Sequence, residues 1–265
     1  MIFIIKYGEI FLKSDFVKRR FEKILVDNIR CELKKRGIDA KVGRALSHIV
    51  IEYEDHQEKI KDILEKTFGI VSFSPAVICK KDMKEIKECA KNLAKFPKGS
   101  TFAVIAKRSD KLFNYNSQAI KEIVGKEIYD MGYKVDLNNP DRKIVIEVRD
   151  RCFVYTYIFA GPGGLPLGAS GSAIGKLNNE KDLLSNVLMM KRGMSIVVLG
   201  KANKELLKKM QSWSIGREIR NIKKLSDTRT KIIISPKDEI KKNYLVLNPL
   251  SGFSEKEIET MLKKL

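Results

Sequence analysis

The sequence predicts a protein of the α/β (α+β) class, built from three consecutive units. Short apolar runs of strand length alternate with longer segments whose apolar residues recur every three to four positions. A stretch dense in glycine and proline, GPGGLPLGASGSAIG at residues 161–175, interrupts that alternation once. No apolar run approaches the roughly 20 residues needed to span a bilayer. The opening MIFIIKYGE carries no basic leader and no small-residue cleavage site, so the expectation is a cytoplasmic protein with no membrane segment.

The first unit, residues 1–78, opens with the apolar strand 2–5. Residues 16–35 follow with Phe21, Ile24, Leu25, Ile29 and Leu33 at helical spacing, and Gly37 stands where a helix C-cap is expected. Strands are predicted at 40–42 and 48–53 around a turn at Gly43 and Arg44. A helix over 57–68 and a strand over 70–79 complete the order strand, helix, strand, strand, helix, strand, which is that of a ferredoxin-like sandwich. A second α/β unit, 79–161, has helices at 84–96 and 117–131 and strands at 101–108, 133–136, 143–149 and 152–159. Residues 162–174 are read as a linker. The third unit, 175–265, is expected to be a small Rossmann-like α/β remnant, with helices at 181–192, 204–211 and from Ser254, strands at 195–199, 231–234 and 244–247, and room for about three strands by ordinary element lengths.

Charge gives the first functional direction. The 265 residues hold 52 Lys plus Arg against 33 Asp plus Glu, a formal +19, and a field of that sign draws polyanions. A lysine-rich surface kept for solubility would be matched by acids, whereas here bases exceed acids by 19. Cys31, Cys79, Cys89 and Cys152 are widely separated, with no C-x-x-C pair and no neighbouring histidine, so they read as reduced thiols and no metal is expected. His48 in an apolar run and His56 in a charged turn read as structural.

Two basic clusters stand out as RNA-binding candidates. Lys107, Arg108 and Lys111 surround a turn that also offers Tyr115 and Asn116, so phosphate contacts and a stacking ring fall within one loop. The bland alternative is a solvated loop with Tyr115 folded onto the sheet. Lys13, Lys18, Arg19 and Arg20 gather at the start of the first helix, where free backbone N–H groups help to hold a phosphate. Arg142 and Lys143 are weaker candidates.

Taken together, KYGEIFLKS (6–14), KRSDKLF (107–113), VDLNNPD (135–141), GGLPLGASG (163–171) and LMMKRG (188–193) resemble the ThiI family, tRNA 4-thiouridine synthetases with a THUMP domain behind a ferredoxin-like domain. The resemblance implies that residues 79–161 are a THUMP domain, and that the first two units clasp the acceptor end of tRNA for a C-terminal catalytic domain. It also exposes a departure. Family enzymes carry an S-G-G-x-D-S phosphate loop ahead of the helix that ends in M-K-R-G. Counting back from Lys191, this chain has Leu177, Asn178, Asn179, Glu180, Lys181 and Asp182 there, with neither glycine and with Glu180 set to repel phosphate. Residues 161–265 also contain no cysteine to relay sulfur.

The leading expectation is therefore a tRNA-binding protein of the THUMP type with a degenerate PP-loop-like third domain, assisting tRNA modification without ATP-dependent chemistry of its own. No cofactor and no catalytic residue are assigned. Its expected partners are tRNA and a separate tRNA-modifying enzyme, with a homodimer as a further possibility. The alternative is an active tRNA thiolation enzyme with an unusual ATP site and a partner sulfur carrier. A third reading is a scaffold whose basic surface meets an acidic protein.

Overall fold

The computed structural model describes residues 1–9, 14–45 and 48–265. The chain begins with β1 (Ile2–Tyr7), α1 (Asp15–Lys35), β2 (Ala40–Ala45), β3 (His48–Tyr53), α2 (Gln57–Glu65) and β4 (Ile70–Cys79). Their strands align in the order β2-β3-β1-β4, the ferredoxin-like arrangement expected from the pattern. Helix α1 ends where Gly37 takes a φ of +66°, a conformation that costs an L side chain energy. One expectation fails locally. Gly43 and Arg44 form no turn but lie within β2, opposite Val50 and Ile49. Both are exposed on an edge strand, where a glycine and a charge are tolerated.

The second segment supplies α3 (Met83–Leu93), β5 (Thr101–Arg108), α4 (Ser117–Asp130), β6 (Lys134–Val135), β7 (Arg142–Val148), β8 (Cys152–Tyr155) and β9 (Phe159–Ala160). The third has β10 (Ser172–Gly175), α5 (Glu180–Lys191), β11 (Ser195–Leu199), α6 (Lys204–Trp213), β12 (Arg220–Ile222), β13 (Ile232–Ile234), β14 (Leu245–Leu247) and α7 (Glu255–Leu262).

Packing divides the chain into two compact units that cut across this order. The first comprises Met1–Lys6, Ala40–Asp55 and Ser72–Phe159. It is built on one mixed sheet, ordered β2-β3-β1-β4-β8-β7-β5-β6 with β9 beside β4. A core of Ile86, Ala90, Ile120, Val124 and Ile128 from α3 and α4 packs with Phe102, Val104, Ile144, Ile146 and Val148 of the sheet. Alternate residues of the same strands point the other way, and there Ile2, Ile4, Val50, Val145, Phe153 and Tyr155 form a second core.

At the margin of that second core Glu147 is wholly buried yet fully partnered. It accepts hydrogen bonds from Lys6 Nζ (2.5 Å), the Tyr155 hydroxyl (2.6 Å) and Arg149 Nε (3.1 Å), with His48 Nε2 at 2.9 Å. Burial works against its charged form, but the bonds from His48, Lys6 and Tyr155 outweigh it and hold the carboxyl far below the usual range. Burial and the bond to Glu147 push the Tyr155 hydroxyl up in turn. His48 is thus structural, as its apolar setting suggests.

The second unit comprises Tyr7–Asp39, His56–Val71 and Ala160–Leu265. Its five strands run parallel in the order β12-β11-β10-β13-β14. This corrects the expectation of about three strands. β10 lies inside the Gly-rich stretch and reads Ser-Ala-Ile-Gly, and β12 reads Arg-Asn-Ile, so neither shows a hydrophobic run. Ala173, Leu177, Leu183, Val187, Met190, Ile196, Val198 and Met210 make its core. Helix α1 is tied into the same unit. Asn28 Nδ2 donates to the Leu167 carbonyl (2.9 Å), Arg217 Nε donates to Asn28 Oδ1 (2.9 Å), and the Gly216 amide donates to Glu32 Oε2 (3.2 Å). Phe68 stacks on Trp213 with ring centroids 5.6 Å apart.

Gly164, at φ +77°, shows what the glycine-rich run is for. A Cβ there would collide with the Lys191 carbonyl at the end of α5. Among the described residues no helix is long and apolar enough to cross a membrane.

Candidate nucleic-acid interface

The loop after β5 is shaped by its own side chains. Arg108 Nη1 donates to the Phe113 carbonyl (3.0 Å) and more weakly to that of Lys111 (3.4 Å), so this arginine braces the turn from within. Asp110 receives the Leu112 amide (2.9 Å) and Lys81 Nζ (2.7 Å). The bond from Lys81, followed by that from Leu112, lowers its pKa and keeps it ionised. Asn116 caps α4 by accepting the Ala119 amide (2.8 Å), and no acid stands in that first turn. The Tyr115 ring lies 5.7 Å from that of Phe113 and is 38% exposed, so one face packs locally while part of the ring meets solvent. Lys107 and Lys111 project outward, exposed.

The result is a pre-shaped, cation-bearing loop with one available aromatic edge. Within it the predicted residues divide by task. Lys107, Lys111 and Tyr115 face solvent, whereas Arg108 and Asn116 hold the loop's form. Arg142 is half-buried, its Nη1 only 3.5 Å from the Asp141 carbonyl, while Lys143 is exposed. Lys81, which tethers Asp110, was not singled out by sequence. Its one available signal is the K-K-D run before α3.

In the second unit, Lys18, Arg19 and Arg20 occupy the opening turns of α1, with both arginines exposed. Ser14 is the N-cap of α1 but its side chain makes no capping bond. Lys13 lies outside the described residues.

The same unit holds the helix start at which a nucleotide pyrophosphate is expected from the resemblance. α5 follows the central strand β10, whose neighbours β11 and β13 lie on opposite sides, and ligands of open parallel sheets bind at such a switch point. Here the terminus is engaged with its own chain. Asp182, 6% exposed, accepts the Asn178 amide (2.9 Å), and Asn179 Oδ1 accepts the Asp182 amide (2.9 Å). Glu180 and Asp182 both stand in the first turn. Gly175 is backed by Asn186, which donates to the Lys176 carbonyl (2.8 Å) and which a Cβ at 175 would strike. As folded, this terminus does not fit a polyphosphate.

Comparison with known proteins agrees with the architecture. The family model for the ThiI ferredoxin-like domain matches residues 2–74, and that for the THUMP domain matches residues 80–157. The chain therefore carries a THUMP domain at residues 80–157. Ahead of it stands a ferredoxin-like domain of the ThiI type.

A probable tRNA sulfurtransferase of Caldanaerobacter subterraneus subsp. tengcongensis is 38% identical over 201 residues, covering 74% of this chain and 52% of the relative. One from Methanocaldococcus jannaschii is 35% identical over 223 residues, covering 80% and 58%. The chain thus spans a little over half the length of these curated relatives. The crystal structure of PH1313 from Pyrococcus horikoshii matches with a TM-score of 0.85 and 29% identity, covering 99% of this chain and 98% of that one. A 4-thiouridine synthetase in complex with RNA and ATP matches in fold, with a TM-score of 0.81 at 23% identity, covering 99% and 84%.

Proposed function

We propose that this chain binds tRNA and acts in tRNA thiolation. The observation that carries the reading is a THUMP match over residues 80–157 in a chain whose relatives are named probable tRNA sulfurtransferase. The loop of Lys107, Lys111 and Tyr115, braced by Arg108 and Asn116, is the proposed contact with the acceptor end. Lys13, Lys18, Arg19 and Arg20 add phosphate contacts at α1, and Arg142 and Lys143 add minor ones. Cytoplasmic placement, a homodimer and the division into 1–78, 79–161 and 175–265 belong to the same proposal.

Binding to a tRNA transcript, followed by filter retention across a salt series, tests the first half. With about five phosphates contacted, a fourfold rise in salt weakens binding on the order of a hundredfold. An affinity that barely responds to salt overturns it.

The relatives' name supports a thiolation enzyme above the binder without chemistry that leads the sequence reading. Because residues 161–265 hold no cysteine, sulfur would come from a separate carrier. One specific observation favours the binder, namely the engaged terminus of α5. Equilibrium dialysis with labelled ATP, with and without tRNA, separates the two readings. Stoichiometric binding supports the enzyme, while tRNA binding without any ATP binding returns the chain to a delivery role.

A further inference from the structure

Strand β5 is paired along one side and largely bare along the other. Against β7 it pairs from Phe102 to Arg108, seven residues in parallel register. On the opposite side β6 meets only Thr101 and Phe102, after which the Asp136 amide donates to the Phe102 carbonyl (3.0 Å) and the chain leaves the sheet. Backbone groups alternate sides along a strand, so the N–H and C=O groups of Val104 and Ala106 share the outward direction of the Phe102 carbonyl. The Ser109 amide, which donates to Val148 of β7, fixes the odd-numbered residues on the paired side. Among the described residues nothing pairs with the outward groups of Val104 and Ala106.

A groove of about 500 Å³ runs along this edge. Its outer wall includes Val135, Leu137 and Pro140, with Val135 50% and Leu137 77% exposed, and α4 forms the inner wall at Gly125. Lys121 and Lys143 stand on its rim, neither with an ion-pair partner among the described residues, against the single carboxylate of Glu122. Lys107 continues the positive edge at the end of β5. Bare strand edges recruit other strands, and natural sheets cover, twist or charge them. Here no strand among the described residues covers the outward side of Val104 and Ala106, each 8% exposed, and lysines outnumber the one carboxylate beside them.

We propose that the open edge of β5 is a docking site for an extended acidic segment of a partner protein, added to the sheet as a further strand. Main-chain bonds at Val104 and Ala106 supply the ladder. Alternate apolar side chains enter the groove beside Val135 and Leu137, and carboxylates meet Lys121, Lys143 and Lys107. The open length from Val104 to Arg108 accepts about four to five residues at roughly 3.3 Å each. A second copy of the chain fits poorly, because its matching edge offers the same lysines rather than carboxylates, in a molecule already at +19. The inference does not depend on the tRNA reading.

The probe is a fluorescein-labelled decapeptide of alternating Glu and Val, with a Lys and Val decapeptide as control, followed by anisotropy on the full chain. Amide hydrogen exchange is read by NMR at Val104 to Lys107. In the free chain the Val104 and Ala106 amides should exchange at least tenfold faster than those of Ile105 and Lys107. The Glu peptide should bind and slow only the first pair. Ala106→Pro deletes an outward donor that the β5–β7 ladder does not use, and should weaken peptide binding at least tenfold. Lys121→Glu should weaken it about fivefold and serves if the proline variant fails to fold. Outward amides already protected in the free chain overturn the proposal. So does equal binding of the Lys peptide, or protection of Val104 and Ala106 by a 12-nucleotide single-stranded RNA but not by the Glu peptide.

Discussion

Two strand-to-helix crossings of this protein share a plan and differ in charge. After β5 the chain turns and enters α4 under an Asn116 cap, and after β10 it turns and enters α5 under an Asn179 cap. Each asparagine accepts an amide three residues on, at 2.8 and 2.9 Å. Both are helix starts, where the partial positive charge of the backbone favours an anion. The first adds Lys107 and Lys111 to that field and has no acid in the opening turn. The second subtracts from it with Glu180 and Asp182, and Asp182 turns its carboxylate onto the loop's own backbone. A shared asparagine cap therefore leaves the local field open, and the nearby side chains decide its sign.

The comparison can be broken most forcefully at the sheet beneath the first crossing. Glu147→Ala leaves Lys6, Arg149 and His48 facing a buried gap, and should destabilise the chain by about 3–5 kcal/mol in urea unfolding. Because the folded pKa of Glu147 is depressed, its contribution is present above the unfolded carboxylate pKa of about 4.3 and is lost as pH falls toward the folded value. Urea midpoints should thus fall between about pH 5 and pH 3 in the parent, and that part of the slope should be missing in Glu147→Ala.

Next in size is a charge reversal at the basic crossing. Lys107→Glu with Lys111→Glu should cost tRNA affinity tenfold or more and reduce the salt slope by roughly 1.4–1.8. Glu180→Lys at the other crossing should change tRNA affinity less than twofold. Filter binding of both variants checks the pair, and equal losses would dissolve the distinction drawn between the crossings.

A smaller effect is expected where the second crossing is reopened. Asp182→Ala frees the Asn178 amide and should lower stability by about 1–2 kcal/mol, while pyrophosphate, inert toward the parent, should raise the variant's Tm. A thermal melt with and without 10 mM pyrophosphate, the concentration chosen as about tenfold above a weak 1 mM site, gives the answer.

The smallest effect concerns thiols. Cys31 on α1 is exposed, Cys89 is half-buried with burial pushing its pKa to about 11, and Cys79 and Cys152 are buried opposite each other on β4 and β8. A disulfide reagent at pH 8 should modify one thiol quickly and reach all four only after unfolding.

The sequence carried the long amphipathic elements well, because helices such as α1 and strands such as β3 repeat their apolar residues at the period of their geometry. It also placed the basic loop after Arg108 correctly as a loop. What it missed has physical causes. β10 and β12 are only four and three residues long, each with a single isoleucine, so neither is long enough to show an apolar period. Gly43 sits in an edge strand, where local turn preference yields to cross-strand pairing. The roles of Arg108 and Asn116 as loop braces, and of Asp182 as a plug on its own backbone, depend on side-chain direction, which spacing does not encode. The four-way partnership of Glu147 joins residues up to 141 positions apart and has no local signature.

The ties of α1 carry a consequence for how the molecule comes into being. Asn28 is made well ahead of its partners at Leu167 and Arg217, which follow 139 and 189 positions later. Trp213, on which Phe68 rests, is likewise made long after Phe68 itself. Until those partners are made, these helices have an uncovered apolar side, and the nascent chain is exposed to association with others. Removing the segment that holds Leu167, Trp213 and Arg217 would prolong that state indefinitely.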